Sequence, residues 1–427
     1  MTGQEAIAYI HSFNWEKHEP GLRRIRALLH ALGDPQRGLK FVHVAGTNGK
    51  GSTCACLASV LRAAGYRVGL NTSPYLVTFH ERIQVDGEMI SDEALAALTE
   101  RVRPAAEAMA EHPTEFELIT AIALLYFREQ ACDIVVLEVG LGGALDASNV
   151  IDVPEVAVLT AMGMDHTALL GPTLTDIASA KAGIIKPGGD VVSYGGCPEA
   201  DAVFHRTCAA QGARLTEVDF SRLTRRSLTL QGSVFDFAPY QALELPLAGA
   251  YQLSNAATAI TALEVLREKG WAISDGAIRR GLAAVRWPGR FEVLRQSPVF
   301  LLDGAHNAHG IAAAAESLKA LFPRQKLVFL LGILADKDVE HMLDLLAPLA
   351  ARVFTVRPDS PRALTAETLC HLLTDRGVPA QVCGCVDDGV RAAIRAAGPD
   401  GAVCALGSLY FSGDVRRAVT EASQMIN

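Results

Sequence analysis

Short runs of Val, Ile and Leu alternate along the chain with longer stretches of helical period, the pattern of buried parallel strands joined by covering helices. KFVHVAG, DIVVLEVG, EVAVLTAM and DVVSYG predict strands. STCACLASVLRAAG and TEFELITAIALLYFREQ predict the helices between them. From about Leu215 to Leu247 the period shortens, and SLTLQGSVFDFAPYQALELPL predicts a small antiparallel β excursion of the first domain. LAGAYQLSNAATAITALEVLREKG returns to helix, and WPGRFEVLRQSP gathers prolines and a glycine, as a boundary does. The strand and helix rhythm then restarts in VFLLDGAH, KLVFLLGIL, RVFTVRP and AVCALGS. The expected fold is α/β: an N-terminal, P-loop ATPase-like, mostly parallel sheet domain over 1–296, and a smaller Rossmann-like domain over 297–427 with the junction near Ser297.

Length agrees, since 427 residues exceed what one core serves and favour roughly two to three domains. The formal charge, 39 − 47 = −8, is interleaved rather than blocked. It gives no reason to expect nucleic acid or an anionic membrane as partner, so an anionic ligand must be held by local groups. No apolar run is long enough to span a bilayer, and MTGQEAIAYIHSF has no charged-then-apolar signal pattern. The 9 cysteines are odd in number and lack zinc-type spacing, which suits reduced thiols. A cytoplasmic protein, a monomer, is expected.

HVAGTNGKGST holds the first chemistry. Gly46, Gly49 and Gly51 surround Lys50 between a strand and a helix, and Ser52 and Thr53 follow. Glycines let backbone N–H groups turn toward an anion, the helix N-terminus adds its dipole, the lysine neutralises outer phosphates and a hydroxyl reaches magnesium. The spacing is tighter than the ordinary phosphate loop, with two residues between Gly46 and Gly49 and Gly51 before Ser52. The plain alternative is a glycine-rich turn with an exposed lysine. Glu138 ends a predicted strand where open α/β sheets place ligands, so it is either a magnesium ligand or a buried hydrogen-bond acceptor. Asp165 and His166 follow another strand, and Lys181 lies in a helix of small residues. Taken singly, His166 reads as a loop residue and Lys181 as part of a solvated face.

In order along the chain stand HVAGTNGKGST, NTSPYLVTFHERI, PTEFELITAIA, EVGLGGALDASNV, MDHTALLGPTLTDIASAKAGIIKPG, WPGRFE, LLDGAHNAHG, GILADKD and GSLY. With these blocks the chain resembles the folylpolyglutamate synthases and dihydrofolate synthases, relatives of the Mur ligases. The resemblance implies an ATP-dependent amide ligase that phosphorylates the carboxylate of a folate, or of dihydropteroate, and joins it to the amine of L-glutamate. It implies that Thr47, Asn48, Gly49, Lys50 and Gly51 hold ATP phosphates. Ser52 and Ser73 would ligate Mg2+ with Glu138, and Glu138 with His166 a second ion beside a carbamylated Lys181. Lys50, Glu138, His166 and Lys181 would form the catalytic set. Asn255, Arg290, Asp303 and His306 match nucleotide contacts, which would place ATP between the domains. Thr114, Leu145, Asp146 and Ala147 match contacts to the pterin-bearing substrate, where Phe79 and Phe116 either flank the ring or pack as core.

The chain also departs from the family pattern. Ala144 replaces an arginine, Ser148 a threonine, Tyr75 a histidine and Ala180 a glutamate. Two other readings stay open at this point: a relative acting on cell-wall nucleotide precursors, against which SPYLVTFHERI and TEFE argue, and an ATP-binding module without turnover, against which Lys50, Glu138, His166 and Lys181 argue.

Overall fold

The computed structural model describes residues 1–13 and 20–424. Its contacts divide the chain into two compact units, Met1–Ser221 with Asn255–Val285, and Arg222–Ser254 with Arg286–Asn427.

The first unit is built on an eight-stranded sheet: β1 (Phe41–Ala45), β2 (Val68–Asn71), β3 (Ile83–Val85), β4 (Glu88–Met89), β5 (Ile134–Glu138), β6 (Val156–Leu159), β7 (Asp190–Ser193) and β8 (Arg214–Glu217). Their order is β4-β3-β2-β5-β1-β6-β7-β8. From β2 to β8 neighbours are parallel, and β3 and β4 close one edge as antiparallel strands. Helices on both faces explain why β1, β5 and β6 are buried at every position and read as unbroken apolar runs. The helix Glu115–Glu129 starts where its sequence says it should. Thr114 accepts the Glu117 amide and Glu117 reaches back to the Thr114 amide, a capping box ahead of Leu118, Ile119 and Ile122. Because β1 lies between β5 and β6, the loop after β1 emerges beside the carboxyl ends of both, where doubly wound sheets bind ligands.

The segment read as a single β excursion is two things. Leu215–Glu217 belongs to β8, the far edge of the large sheet, and pairs in parallel with β7. Only β9 (Leu223–Thr229), β10 (Gly232–Phe237) and β11 (Tyr240–Leu245) form the antiparallel sheet. Alternation looks alike in a half-exposed edge strand and in a hairpin, so the sequence could not separate them.

The second unit also contains β12 (Glu292–Gln296), β13 (Val299–Leu302), β14 (Leu327–Leu331), β15 (Ala350–Thr355), β16 (Ala380–Val382) and β17 (Ala402–Leu406), in the order β12-β13-β17-β14-β15-β16. All pairs are parallel except β12 with β13. Ser297, the expected junction, lies in the turn between β12 and β13. Two hydrophobic clusters cover the faces of this sheet, one around Leu301, Phe329 and Leu406, the other around Phe300, Leu330 and Val403. No helix among the described residues is long and apolar enough to cross a membrane. All nine cysteines are free thiols.

Candidate active site

Two glycines of the loop after β1 are required by geometry. Gly46 has φ +154°, and a Cβ there would lie 1.8 Å from Thr160 Oγ1. Gly49 has φ +84°, and a Cβ would lie 2.3 Å from Asn255 Oδ1. Any side chain at either place would be strained and would push into a fixed neighbour. Asn255, expected as a nucleotide contact, therefore stands directly against the glycine loop.

The loop is fastened from the neighbouring strand. The Thr47 and Asn48 amides both donate to Ala161 O at 3.1 Å, Thr160 Oγ1 donates to Asn48 O at 2.8 Å, and Thr47 Oγ1 donates to Gly163 O at 3.0 Å. The backbone donors of Thr47 and Asn48 are thus engaged by protein. The helix Lys50–Ala63 forms its first rung from Thr53 N to Gly49 O at 2.9 Å, so the amides of Lys50, Gly51 and Ser52 precede the ladder and supply the donors and the positive dipole end for an anion. Sequence reading missed Thr160 and Ala161. A polar residue ending an apolar strand was the available signal.

Lys50 Nζ donates to Gly46 O at 3.2 Å and to Thr47 O at 3.4 Å, and Lys181 Nζ donates to the same Gly46 O at 2.9 Å. Lys181 is no solvated helix residue. It is buried, and that burial, with the charge of Lys50 second, brings its ammonium down to about 7. The shift raises the share of neutral amine, the form that adds carbon dioxide.

At the end of β5 Glu138 is buried, and one of its carboxylate oxygens accepts the Ser73 amide at 3.1 Å. Ser52 is buried in the first turn of its helix. His166 caps the short helix Thr167–Leu170 with φ +51°; its amide donates to Asp165 Oδ1 at 2.8 Å and its Nε2 lies 3.9 Å from Asp165 Oδ2. No three His, Cys, Asp or Glu side chains converge as a metal cluster among the described residues. The expected donor set is of another kind: serine hydroxyls, one carboxylate and an imidazole, mostly hard oxygen, which fits magnesium. Glu81, which the sequence did not single out, organises the segment after Ser73 by accepting the amides of Leu76, Val77 and Thr78 at 2.8, 2.9 and 2.9 Å. Its signal was the T-x-x-E capping box with Thr78.

The expected substrate residues fall on two neighbouring loops. Thr114 caps its helix through Glu117, and Glu117 also forms a buried ion pair with Arg24 at 3.1 Å. Asp146 is buried. Its Oδ1 accepts Ser148 N at 3.0 Å and Ser148 Oγ at 2.6 Å, and its Oδ2 accepts Leu141 N at 2.8 Å. Burial raises its carboxyl above the ordinary range, and those hydrogen bonds oppose the rise. Leu145 is 56% exposed, so packing does not account for it, whereas Ala147 is core. Phe79 is also core, 6.0 Å from Tyr75 by ring centroids. Phe116 is half-buried over Gly140, where a Cβ would meet its ring at 2.6 Å. Two departures from the family pattern are neighbours: Ala144 N donates to Ala180 O at 2.8 Å.

In the second unit Asp303 is a buried organiser. Oδ1 accepts Ala305 N at 2.9 Å, and Oδ2 accepts Phe291 N at 2.8 Å and Tyr251 Oη at 2.7 Å. Burial and Asp303 together raise the Tyr251 phenol well above its usual value. Arg290 reaches over Gly304, where a Cβ would lie 1.7 Å from its Nη1, and His306 Nδ1 pairs with Gly304 O at 2.8 Å.

Two family models match: the Mur ligase middle domain over residues 44–263 and the Mur ligase, glutamate ligase domain over residues 289–409. The chain is 41% identical to a folylpolyglutamate synthase of Lacticaseibacillus casei, with 98% of this chain and 99% of that protein covered. It is 38% identical to a dihydrofolate synthase/folylpolyglutamate synthase of Bacillus subtilis, covering 97% and 98%. The solved structure of Escherichia coli FolC in complex with DHPP and ADP superposes with a TM-score of 0.87 at 33% identity, covering 99% of each chain.

Proposed function

From the premise that the chain belongs to the folylpolyglutamate synthase and dihydrofolate synthase family of Mur ligases, we propose that it is an ATP-dependent ligase that adds L-glutamate to folates, and to 7,8-dihydropteroate as well. The observation that carries this reading is the tight glycine loop after β1, with Lys50 and buried Lys181 on one carbonyl and Glu138 at the end of the adjoining strand.

A substrate carboxylate oxygen attacks the γ-phosphorus of ATP, and ADP leaves with the bridging oxygen. The glutamate amine then attacks the acyl phosphate carbon, loses a proton, and phosphate departs as the amide forms. Such chemistry needs positioning and charge neutralisation rather than covalent help. Lys50 and the first-turn amides of Lys50, Gly51 and Ser52 hold the outer phosphates, with Thr47, Asn48 and Gly49 shaping the loop around them. Ser52, Ser73, Glu138 and His166 would hold Mg2+, which when bound would neutralise phosphate charge. Lys181 carries a carbamate, formed as its neutral amine adds carbon dioxide and releases a proton; the new anionic oxygens replace a cation that would repel the metal. Thr114, Leu145, Asp146 and Ala147 receive the pterin-bearing substrate. Asn255, Arg290, Asp303 and His306 serve the nucleotide, and the C-terminal portion, from about Ser297, contributes the glutamate-ligase function. Nine free thiols support a cytoplasmic location, and the active species is taken as a monomer.

The test incubates purified protein with MgATP and L-glutamate, offering tetrahydrofolate and dihydropteroate in separate tubes, and follows ADP and product mass. Pterin-dependent ADP with one glutamate added per cycle is expected. ADP release with neither pterin, or turnover only on a cell-wall nucleotide precursor, sinks the reading.

A further inference from the structure

Strand β1 carries one polar side chain, His43, among Phe41, Val42, Val44 and Ala45, and it is fully buried. Its Nε2 lies 2.9 Å from Ser148 Oγ, and Ser148 Oγ donates to Asp146 Oδ1 at 2.6 Å. The hydroxyl has one proton, already directed to the carboxylate, so the bond from His43 runs N–H to O and fixes the Nε2–H tautomer. Nδ1 is then a bare acceptor, and it meets no protein donor among the described residues. A half-satisfied imidazole in a strand interior is destabilising relative to an apolar residue of similar size. Stability therefore does not explain the histidine.

What the histidine does is orient. By donating to Ser148 Oγ it holds that oxygen in place, with the proton aimed at Asp146. Protein donors then lock the Asp146 carboxylate, the Ser148 amide and hydroxyl on Oδ1 and the Leu141 amide on Oδ2, with a backbone hydrogen bond from Gly140 beside them. The amino and ring N–H groups of a 2-amino-4-oxo pterin are donors of the matching kind. We propose that His43, acting through Ser148, is a positioning residue that orients Asp146 for recognition of the pterin ring. This rests on the reading above that Asp146 receives that substrate. His43 also lies in the strand that delivers the phosphate loop, so one strand fixes both the nucleotide loop and the substrate carboxylate.

The test compares wild type, His43→Leu, His43→Gln, Ser148→Ala and the His43→Leu/Ser148→Ala double variant at pH 8. It measures KM for tetrahydrofolate, KM for MgATP and the denaturant midpoint. Loss of one neutral hydrogen bond predicts a rise of about three- to tenfold in KM for tetrahydrofolate in His43→Leu and Ser148→Ala. KM for MgATP stays at the wild-type value. His43→Leu is at least as stable as wild type, a result that a purely structural histidine would not give, and His43→Gln, which retains an N–H donor, recovers part of the loss. The double variant is no worse than Ser148→Ala, because without the serine His43 has nothing to act on. An unchanged KM for tetrahydrofolate in both single variants, equal rises in both KM values, or additive losses overturn the inference. Wild type making no pterin-dependent product would refute the ligase reading and this inference with it, whereas normal wild-type turnover with an unaltered His43→Leu refutes this inference alone.

Discussion

Lys50 and Lys181 lie 131 positions apart in the chain and donate to one acceptor, the carbonyl oxygen of Gly46, at 3.2 and 2.9 Å. Two ammonium groups on one oxygen repel each other, and the buried partner of the pair, Lys181, is the one whose proton is held weakly. The arrangement favours a neutral Lys181, and it sets the first prediction.

Protein equilibrated with 13C-labelled bicarbonate will show a carbamate carbon resonance that is missing in Lys181→Ala. That variant will lose at least about a hundredfold in kcat, the scale expected when a group acting in phosphoryl transfer is removed, and excess bicarbonate will not restore it. Wild-type turnover in Lys181→Ala would remove the lysine from the mechanism.

Gly49→Ala places a methyl 2.3 Å from Asn255 Oδ1 at φ +84°, whereas Gly65→Ala meets open space at φ +96°. Both variants carry backbone strain of about 1 kcal/mol or more. Only Gly49→Ala will also weaken binding of a non-hydrolysable ATP analogue, by about tenfold or more in calorimetry, since relieving so short a contact takes a shift of about an ångström and displaces the first-turn amides. Equal affinities in the two variants would contradict the loop geometry.

The buried Arg24–Glu117 pair joins the helix Arg23–Ala31 to the start of the helix that Thr114 caps. Arg24→Met leaves a carboxylate uncompensated in the interior and will destabilise the protein by about 3–5 kcal/mol in chemical denaturation. Adding Glu117→Gln will recover part of the loss, because the stranded charge is then gone. If the double variant is less stable than the single, burial of that charge is not the cause.

His43 makes acid stability diagnostic. Burial, with Lys186 second, lowers its imidazole from 6.5 to about 3. The unfolded chain therefore binds a proton below about 6.5 that the folded chain refuses until about 3. The resulting contribution is fully present above pH 6.5 and falls as pH drops toward 3, by about 1.4 kcal/mol per unit. Between pH 7 and pH 5 wild type will lose about 2 kcal/mol more than His43→Leu. Parallel losses in urea denaturation at the two pH values would show that the imidazole titrates normally in the fold.

The parts that were legible in advance are those in which a local cause acts through neighbouring residues. KFVHVAG reads as a buried strand because both faces of β1 are covered, TEFE reads as a helix start because the capping bonds close within three residues, and the glycine loop reads as a turn from strand to helix because Gly46 and Gly49 take positive φ there. The C-terminal strands β13, β14, β15 and β17 were equally plain. β12 and β16 were not, since both are edge strands with exposed positions and their sequences carry no apolar run.

By itself the sequence determined the class of fold, the tight glycine turn from strand to helix, the acid that ends β5 and, through the ordered blocks, the family. Only the tertiary structure decided that Lys181 meets Gly46, that Ala144 touches Ala180, that Thr160 and Ala161 fasten the loop, and that His43 reaches Asp146 through Ser148. Local pattern fixes what the backbone of a segment does, because its hydrogen bonds and its buried face are set by residues a few positions away. Which distant side chains share an acceptor depends on strand order and register. Placing β1 between β5 and β6 is a cooperative outcome of burying the whole sheet, and no single segment records it.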